Sequence, residues 1–224
     1  MFKDWLVAFR PLNHKIPVIF VLASIVQLAI IGINIKSVNA DDRCEIPDFE
    51  NLPETENTIV GTSSNDKLVG TQSSDCILAL EGNDVVMGKD KDDIIIGDEG
   101  NDRLQGSDGN DVITGGPGFD TLMGNAGNDI LFDCCGKNQL LGGDGNDNLV
   151  GSEGPDKLDG GEGNDRIFGN GGNDVLIGGN GDDTIEGGEG ADNFNCGPGT
   201  DTINFFNADE GDRASNTCEV INKS

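Results

Sequence analysis

The sequence has 224 residues, 35 of them glycine, with only 5% aromatic residues and a formal net charge of -27. So little apolar area cannot offset the entropy of ordering a chain, and this composition excludes a conventional globular core. A polyanion of this size repels nucleic acid and anionic membranes. Its expected partners are cations, above all calcium, a hard ion that takes about six to eight oxygen ligands.

Residues 1–40 are predicted to form a secretory signal peptide or a helical membrane anchor. A basic stretch precedes an uncharged run at 16–35, and Val38 and Ala40 are small at the two positions that a signal peptidase reads. The same run is long enough to span a bilayer, so an uncleaved anchor through residues 16–35 is the alternative. In both cases we expect an extracellular or cell-surface location for the acidic remainder, whose net charge is -30.

Residues 41–57 are acidic and contain prolines, and they predict a short N-terminal cap that is too small for a catalytic domain. The following segment, 58–205, repeats with a period of nine residues. Sixteen positions fall on one register without an insertion; Asn138 occupies one of them and aspartate the other fifteen. The aspartates are Asp66, Asp75, Asp84, Asp93, Asp102, Asp111, Asp120, Asp129, Asp147, Asp156, Asp165, Asp174, Asp183, Asp192 and Asp201.

The residue two positions after each of these is apolar in every repeat, from Leu68 to Ile203. Glycines before the aspartate predict a tight turn, and the three residues after it predict a short strand with one side chain in the core. Turn and strand together make half of one coil. Two halves close a flattened solenoid, so aspartates 18 residues apart are expected to stack on one edge.

The repeats GGPGFDTLM at 115–123, GGDGNDNLV at 142–150, GGEGNDRIF at 160–168 and GGNGDDTIE at 178–186 resemble the RTX, or haemolysin-type, calcium-binding nonapeptide repeat. The resemblance implies an all-β fold, a right-handed parallel β-roll of two sheets built from about sixteen nine-residue repeats. It also implies that the fifteen aspartates and the carbonyls of the glycine turns bind several Ca²⁺ ions. Without calcium we expect disorder, because stacked carboxylates repel one another.

Several turns depart from the pattern. The turns at 61–66, 70–75, 79–84 and 88–93 lack one or more glycines, so we expect weak calcium binding or none there. The turn at 133–138, DCCGKN, replaces the aspartate with Asn138 and adds Lys137, which puts its site in doubt.

Six cysteines follow the first segment, and six allow 15 connectivities. The favoured pairs are Cys196 with Cys218 and Cys44 with Cys76, each of which ties a flank to the repeats. Cys134 and Cys135 then form a vicinal bridge or remain thiols. Buried free thiols throughout are the alternative, and a metal site is less favoured because the one histidine, His14, lies in the first segment.

Residues 206–224 are predicted to form a C-terminal cap, with Phe205 and Phe206 over the open end of the apolar column. No Ser/His/Asp or Cys/His set is available after His14, so we do not expect an enzyme. Ten outward positions on the strands are also apolar: Val69, Leu78, Met87, Ile96, Met123, Phe132, Leu141, Val150, Phe168 and Ile177.

The expected function is therefore that of an exported calcium-binding structural or cell-surface protein. The alternative is a calcium-dependent module that recognises extracellular polysaccharide or packs against other β-rolls in a surface layer.

Overall fold

The computed structural model of the protein describes residues 55–223. The predicted signal or anchor, Cys44 and most of the predicted N-terminal cap lie outside these residues. The described part consists of strands and turns, and it contains no helix long and apolar enough to cross a membrane.

Nearly all the strands belong to two parallel sheets that the chain visits alternately. The ten-stranded sheet contains β1 (Asn57–Val60), β3 (Asp75–Leu78), β5 (Ile94–Ile96), β7 (Val112–Thr114), β10 (Ile130–Phe132), β13 (Asn148–Val150), β15 (Arg166–Gly171), β17 (Thr184–Glu189), β19 (Thr202–Phe206) and β21 (Val220–Lys223). The nine-stranded sheet contains β2 (Lys67–Val69), β4 (Val85–Asp90), β6 (Arg103–Asp108), β9 (Thr121–Ala126), β12 (Gln139–Asp144), β14 (Lys157–Glu162), β16 (Val175–Asn180), β18 (Asn193–Asn195) and β20 (Arg213–Ala214). Two short strands, β8 (Pro117–Gly118) and β11 (Cys135–Gly136), pair with each other in a turn region.

The strand register confirms the predicted coil length. Ile59 pairs with Ile77 and Leu131 pairs with Leu149, so equivalent residues of neighbouring strands are 18 positions apart. One coil therefore contains two repeats, and the described residues form a parallel β-solenoid of about nine turns, as expected for strands that alternate between two stacked sheets.

The core is a single column of side chains between the two sheets. From Ile77 to Ile203 the predicted apolar residue of each repeat is at most 3% exposed, whereas Leu68 at the N-terminal end is only partly buried. A column that is one residue deep buries little area per residue. The turns must therefore contribute to the stability of each coil.

The C-terminal flank adds β21 to one sheet and β20 to the other. Phe206 packs against the core, with its ring centroid 5.9 Å from that of Phe194. Phe205 is 62% exposed, so only one of the two phenylalanines predicted to cover the column does so. Cys196 and Cys218 form a disulfide that ties this flank to the preceding coil. Cys76 is fully buried in β3, and its pairing with Cys44 stays a prediction.

Candidate functional site

The repeat aspartates form a continuous series of hydrogen bonds along each edge, which we call the aspartate ladder. The backbone N–H of each member donates to Oδ1 of the member one coil later, over 2.6 to 2.9 Å from Asp66 to Asp201. Asn138 takes part through its own Oδ1, which accepts from Asp120. Each carboxylate is thus oriented by the coil before it.

The second carboxylate oxygen has no such partner in most turns. In twelve ladder aspartates, Oδ2 is buried and accepts no hydrogen bond from the described residues. These are Asp84, Asp93, Asp102, Asp111, Asp120, Asp129, Asp147, Asp165, Asp174, Asp183, Asp192 and Asp201. A buried acceptor without a donor costs about 1–3 kcal/mol, and more when it is charged. These carboxylates are therefore stabilised either by protonation or by a positively charged partner.

In thirteen of the sixteen repeats a glycine stands five residues before the ladder position and leaves room next to this oxygen. A Cβ atom on Gly124 would collide with Oδ2 of Asp129 and lie 2.7 Å from the carbonyl oxygen of Gly142, one coil later. Gly142 has the same relation to Asp147 and Gly160. We call this space the cradle. A carboxylate oxygen and a carbonyl oxygen converge on it, and both are ligand types that calcium prefers.

The turns adopt two conformations, which differ at the fourth residue before the ladder aspartate. In twelve turns, here called open turns, this residue has a positive φ, as at Lys89 (102°) and Gly143 (121°). These are the same twelve turns whose aspartate has an unpartnered Oδ2.

Three other turns, which we call capped turns, have Thr62, Thr71 or Ser152 at this position without a positive φ. Here the residue donates its backbone N–H to Oδ2 of the ladder aspartate: Ser152 N lies 2.7 Å from Oδ2 of Asp156, and the Ser152 hydroxyl lies 3.0 Å from it. Thr62 and Thr71 bond to Asp66 and Asp75 in the same way through their N–H groups. β-Branched threonine disfavours positive φ, which explains the choice of conformation at 62 and 71.

Two of the four early turns with missing glycines are thus capped and two are open. Asp66 and Asp75 have both oxygens satisfied or exposed, while Asp84 and Asp93 have the unpartnered Oδ2 of the regular turns. The capped turn at 151–156 was not anticipated from the sequence. Serine before Asp156 is the available signal, but Ser107 occupies the same position with φ 98° and leaves its turn open.

Burial raises the pKa of most ladder aspartates. For Asp129 it reaches about 8, mainly through desolvation, with a further increase from the nearby carboxylates of Asp111 and Asp147. The pKa values of Asp102 and Asp111 rise to about 7 for the same principal reason. The hydrogen bond to Oδ1 opposes this shift in each case. The ladder is therefore a row of carboxylates for which the ionised form is unfavourable unless a cation is present.

Several other ladder residues were missed because they are not aspartates of the uninterrupted register. Asn57 donates its side-chain Nδ2–H to Oδ1 of Asp75, and Oε2 of Glu219 accepts from the backbone N–H of Asp201. Both positions extend the nine-residue register, which is the signal that could have found them. Asp212 accepts from Asp192 but lies 20 residues later, because the connection before it is two residues longer.

A second series of hydrogen bonds lies on the exposed side of the turns. Oδ1 of Asn83 accepts from the N–H of Asn101, and Oδ1 of Asn128 accepts from Asn146. These bonds run in the opposite direction to the aspartate ladder. They explain the frequent asparagine directly before the ladder aspartate, which the sequence analysis did not assign.

Cys134 and Cys135 are thiols, with Sγ atoms 2.8 Å apart, so the vicinal bridge is absent. Of the ten outward apolar residues, Phe132 and Val150 are 5% and 2% exposed and thus do not offer a contact surface. Val69 and Met87, which pair across β2 and β4, are 43% and 40% exposed.

No group of three or more His, Cys, Asp or Glu side chains suited to a metal ion occurs among residues 55–223. A cation in an open turn would therefore have to combine few carboxylates with backbone carbonyls, as the convergence of Asp129 Oδ2 and Gly142 O allows. Calcium accepts such mixed oxygen ligands at flexible distances. The residues present fit calcium in the open turns and provide no free Oδ2 for it in the capped turns.

A family model described as the RTX calcium-binding nonapeptide repeat (4 copies) matches the chain at 54–86, 78–112, 87–122, 105–132, 141–176 and 168–203. Together these ranges cover more than half of the chain. The turn at 133–138 falls between two of them. A search of curated proteins gave no match.

Proposed function

Because the chain belongs to the RTX calcium-binding nonapeptide-repeat family and is a calcium-binding β-roll, we propose that it is an exported structural rod. In this proposal it is secreted or held at the cell surface, and its coils become ordered as calcium enters the open turns. The role is structural rather than catalytic.

The observation that supports calcium-dependent ordering is the buried, unpartnered Oδ2 of the twelve open turns. In six of these turns the oxygen lies beside a cradle into which a glycine carbonyl of the next coil also points, as with Asp147 and Gly160. In such a turn the aspartate Oδ2 and that carbonyl would hold calcium. The ion would neutralise a carboxylate whose burial is otherwise unfavourable, so its binding free energy would become folding free energy.

Three of the predicted ligands do not fit this role. Asp66, Asp75 and Asp156 already receive hydrogen bonds from the capping residues at Oδ2. We therefore assign calcium to the open turns alone and regard the capped turns as places where hydrogen bonds replace the ion.

Export is supported by the sequence of residues 1–40. The basic start, the apolar run at 16–35 and the small residues Val38 and Ala40 are typical of a secretory signal. Extracellular calcium reaches about millimolar concentrations, in the range where extracellular modules bind the ion. An exported location would thus provide the ion that the ladder requires.

The test is a calcium titration of the full chain, followed by far-ultraviolet circular dichroism and hydrodynamic radius, with magnesium as the control. We expect a cooperative gain of β-signal with compaction in calcium, with a midpoint of about 0.1–1 mM, and no such change in magnesium. A chain that is fully folded in chelator and indifferent to calcium would contradict the proposal.

A second candidate function is contact with other β-rolls or with an extracellular polysaccharide. The neighbouring exposed residues Val69, Val85 and Met87 favour it, because they form an apolar patch at one end of the nine-stranded sheet. Sedimentation velocity in calcium tests self-association. Concentration-dependent dimers that disappear in Val69→Ser with Met87→Ser would support packing between rolls, and a monomer at all concentrations would exclude it.

A further inference from the structure

In the turn at 133–138, two residues replace the single ladder aspartate of the other turns. One accepts the ladder hydrogen bond, and the other has the unpartnered carboxylate oxygen. Asn138 stands at the ladder position, and its Oδ1 accepts the N–H of Asp120 over 2.9 Å. Its Nδ2 donates to the carbonyl oxygen of Cys135 over 3.0 Å. Asn138 thus keeps the ladder continuous, but it has no second oxygen with which to bind a cation.

Asp133 stands where thirteen of the sixteen repeats have glycine, five residues before the ladder position. Its side chain is fully buried, and its Oδ2 accepts no hydrogen bond from the described residues. The residue therefore brings into this turn the unpartnered carboxylate oxygen that Asn138 lacks.

The carboxylate of Asp133 points into the cradle of the preceding coil. A Cβ atom on Gly115 would collide with Oδ2 of Asp133 and lie 2.7 Å from Oδ2 of Asp120. In regular cradles a carboxylate oxygen meets a carbonyl oxygen, as with Asp147 and Gly160. Here two carboxylate oxygens from adjacent coils converge on one point.

No positively charged side chain balances this pair. Lys137 is in the same turn but is exposed, and no lysine or arginine of the described residues forms an ion pair with Asp120 or Asp133. Desolvation, followed by repulsion from Asp120, raises the pKa of Asp133 to about 9. Two buried carboxylates next to each other need either a shared proton or a divalent cation.

We propose that Asp120 and Asp133 form an additional type of calcium site in the Gly115 cradle, with two carboxylate ligands in place of one carboxylate and one carbonyl. The inference rests on the proposed calcium function and adds a ligand that lies outside the nine-residue register. It also gives a role in calcium binding to the turn at 133–138, whose own site the sequence leaves in doubt. A site with two charges is expected to bind calcium more tightly than a regular open turn.

The test counts bound calcium in the full chain by equilibrium dialysis with radioactive calcium. Asp133→Asn keeps the shape of the side chain and removes its charge. Asp144→Asn is the matched control, because Asp144 is the exposed last residue of β12 and lies outside the ladder. We expect Asp133→Asn to lose one calcium equivalent, or to weaken one equivalent at least tenfold, and Asp144→Asn to match the wild type.

A second variant controls for the possibility that Asp133→Asn loses calcium only because it fails to fold. Asp133→Gly with Asn138→Asp restores the regular repeat in this turn, so it is expected to fold and to regain the lost equivalent through the new ladder aspartate. Unchanged calcium number and affinity in Asp133→Asn would overturn the proposal and indicate that the pair shares a proton. If the wild type itself binds no calcium, the proposed function fails as well, so the two failures are distinguishable.

Discussion

The backbone N–H of Asp111 donates to Oδ1 of Asp129 over 2.7 Å, while Oδ2 of Asp129 is buried without a donor. One carboxylate therefore has a structural oxygen, which links two coils, and a second oxygen that is available to a cation. If calcium binds as proposed, this division makes the stability of the roll depend on the ion, and it allows the two roles to be separated by mutation.

The substitution Asp129→Asn separates the structural role of Oδ1 from the cation-binding role of Oδ2. An amide keeps the Oδ1 acceptor, as Asn138 shows in the wild type, but it removes the buried charge. We expect the variant to be more stable than the wild type in chelator and less stable in calcium, by about 1–3 kcal/mol in each direction. The residual β-signal in chelator and thermal unfolding in calcium measure the two effects. A change of the same sign in chelator and in calcium would contradict the two roles.

The pH dependence of stability should reverse with calcium. In chelator, the folded pKa values of about 7 to 8 for Asp102, Asp111 and Asp129 exceed their ordinary value of 3.8. The folded state then binds more protons, so this stability is fully present below about pH 4 and is lost as the pH rises through 7 to 8. Calcium needs the ionised carboxylates, so its contribution disappears as the pH falls.

Urea unfolding in calcium and the far-ultraviolet β-signal in chelator, each recorded at pH 5 and pH 8, test this reversal. We expect the largely disordered chain in chelator to show more β-signal at pH 5 than at pH 8, and the roll in calcium to be more stable at pH 8. Parallel profiles under the two conditions would show that the ladder carboxylates do not titrate as their burial indicates.

Ser152→Gly is expected to convert a capped turn into an open one. The substitution removes the hydroxyl bond to Oδ2 of Asp156 and permits a positive φ at this position. We expect the lost hydrogen bond to cost about 1–3 kcal/mol and the variant to bind one additional calcium, counted by equilibrium dialysis. Ser107→Gly is the control, because its turn is already open. An unchanged calcium count would mean that the two conformations do not determine ion binding.

The two neighbouring phenylalanines of the C-terminal flank should differ in their contribution to stability. Phe206 contacts the core and Phe194, whereas Phe205 is 62% exposed. We expect Phe206→Ser to lower the free energy of unfolding by about 1–3 kcal/mol and Phe205→Ser to change it by less than about 0.5 kcal/mol. Denaturant unfolding in calcium compares them. Equal losses of stability in the two variants would show that the contact of Phe206 with the core does not close the end of the column.

The Cys196–Cys218 disulfide should stabilise the last coil. It closes a loop with a sequence separation of 22, and the entropy removed from an unfolded chain by such a link corresponds to about 3 kcal/mol. We expect Cys218→Ser to lower stability by about this amount and to expose Phe194 to solvent. Amide hydrogen exchange at β18 and β19 measures the effect locally, and unchanged protection there would show that the strand pairing suffices.

The repeating part of the fold was predictable because every repeat has the same pattern of turn and apolar residue. An apolar residue two positions after the aspartate fixes the column, as at Ile113 and Leu131, and the period of nine fixes the 18-residue register. The turn conformations were less predictable, because Ser107 and Ser152 occupy equivalent positions in turns of different kinds. Serine is compatible with a positive and with a negative φ, so contacts with neighbouring residues determine which turn conformation forms.

The exceptional residues were hidden for a different reason. Asp133 lies outside the register, so its approach to Asp120 depends on where the side chain of one coil meets the cradle of another. Asp212 lies two residues late because of the longer connection before it. Such contacts between coils are a property of the stacked structure, and a periodic pattern in the sequence does not specify them.

The aspartate ladder also gives the solenoid a direction. In every coil the carboxylate is oriented by an amide that belongs to the coil before it, as the N–H of Asp165 orients Asp183. A coil thus orients the ladder carboxylate of its successor, while the successor supplies the carbonyl oxygen of the cradle, as Gly142 does beside Asp129. Growth of the ordered rod is therefore expected to proceed from the amino end, where the two capped turns at Thr62 and Thr71 need no ion to close.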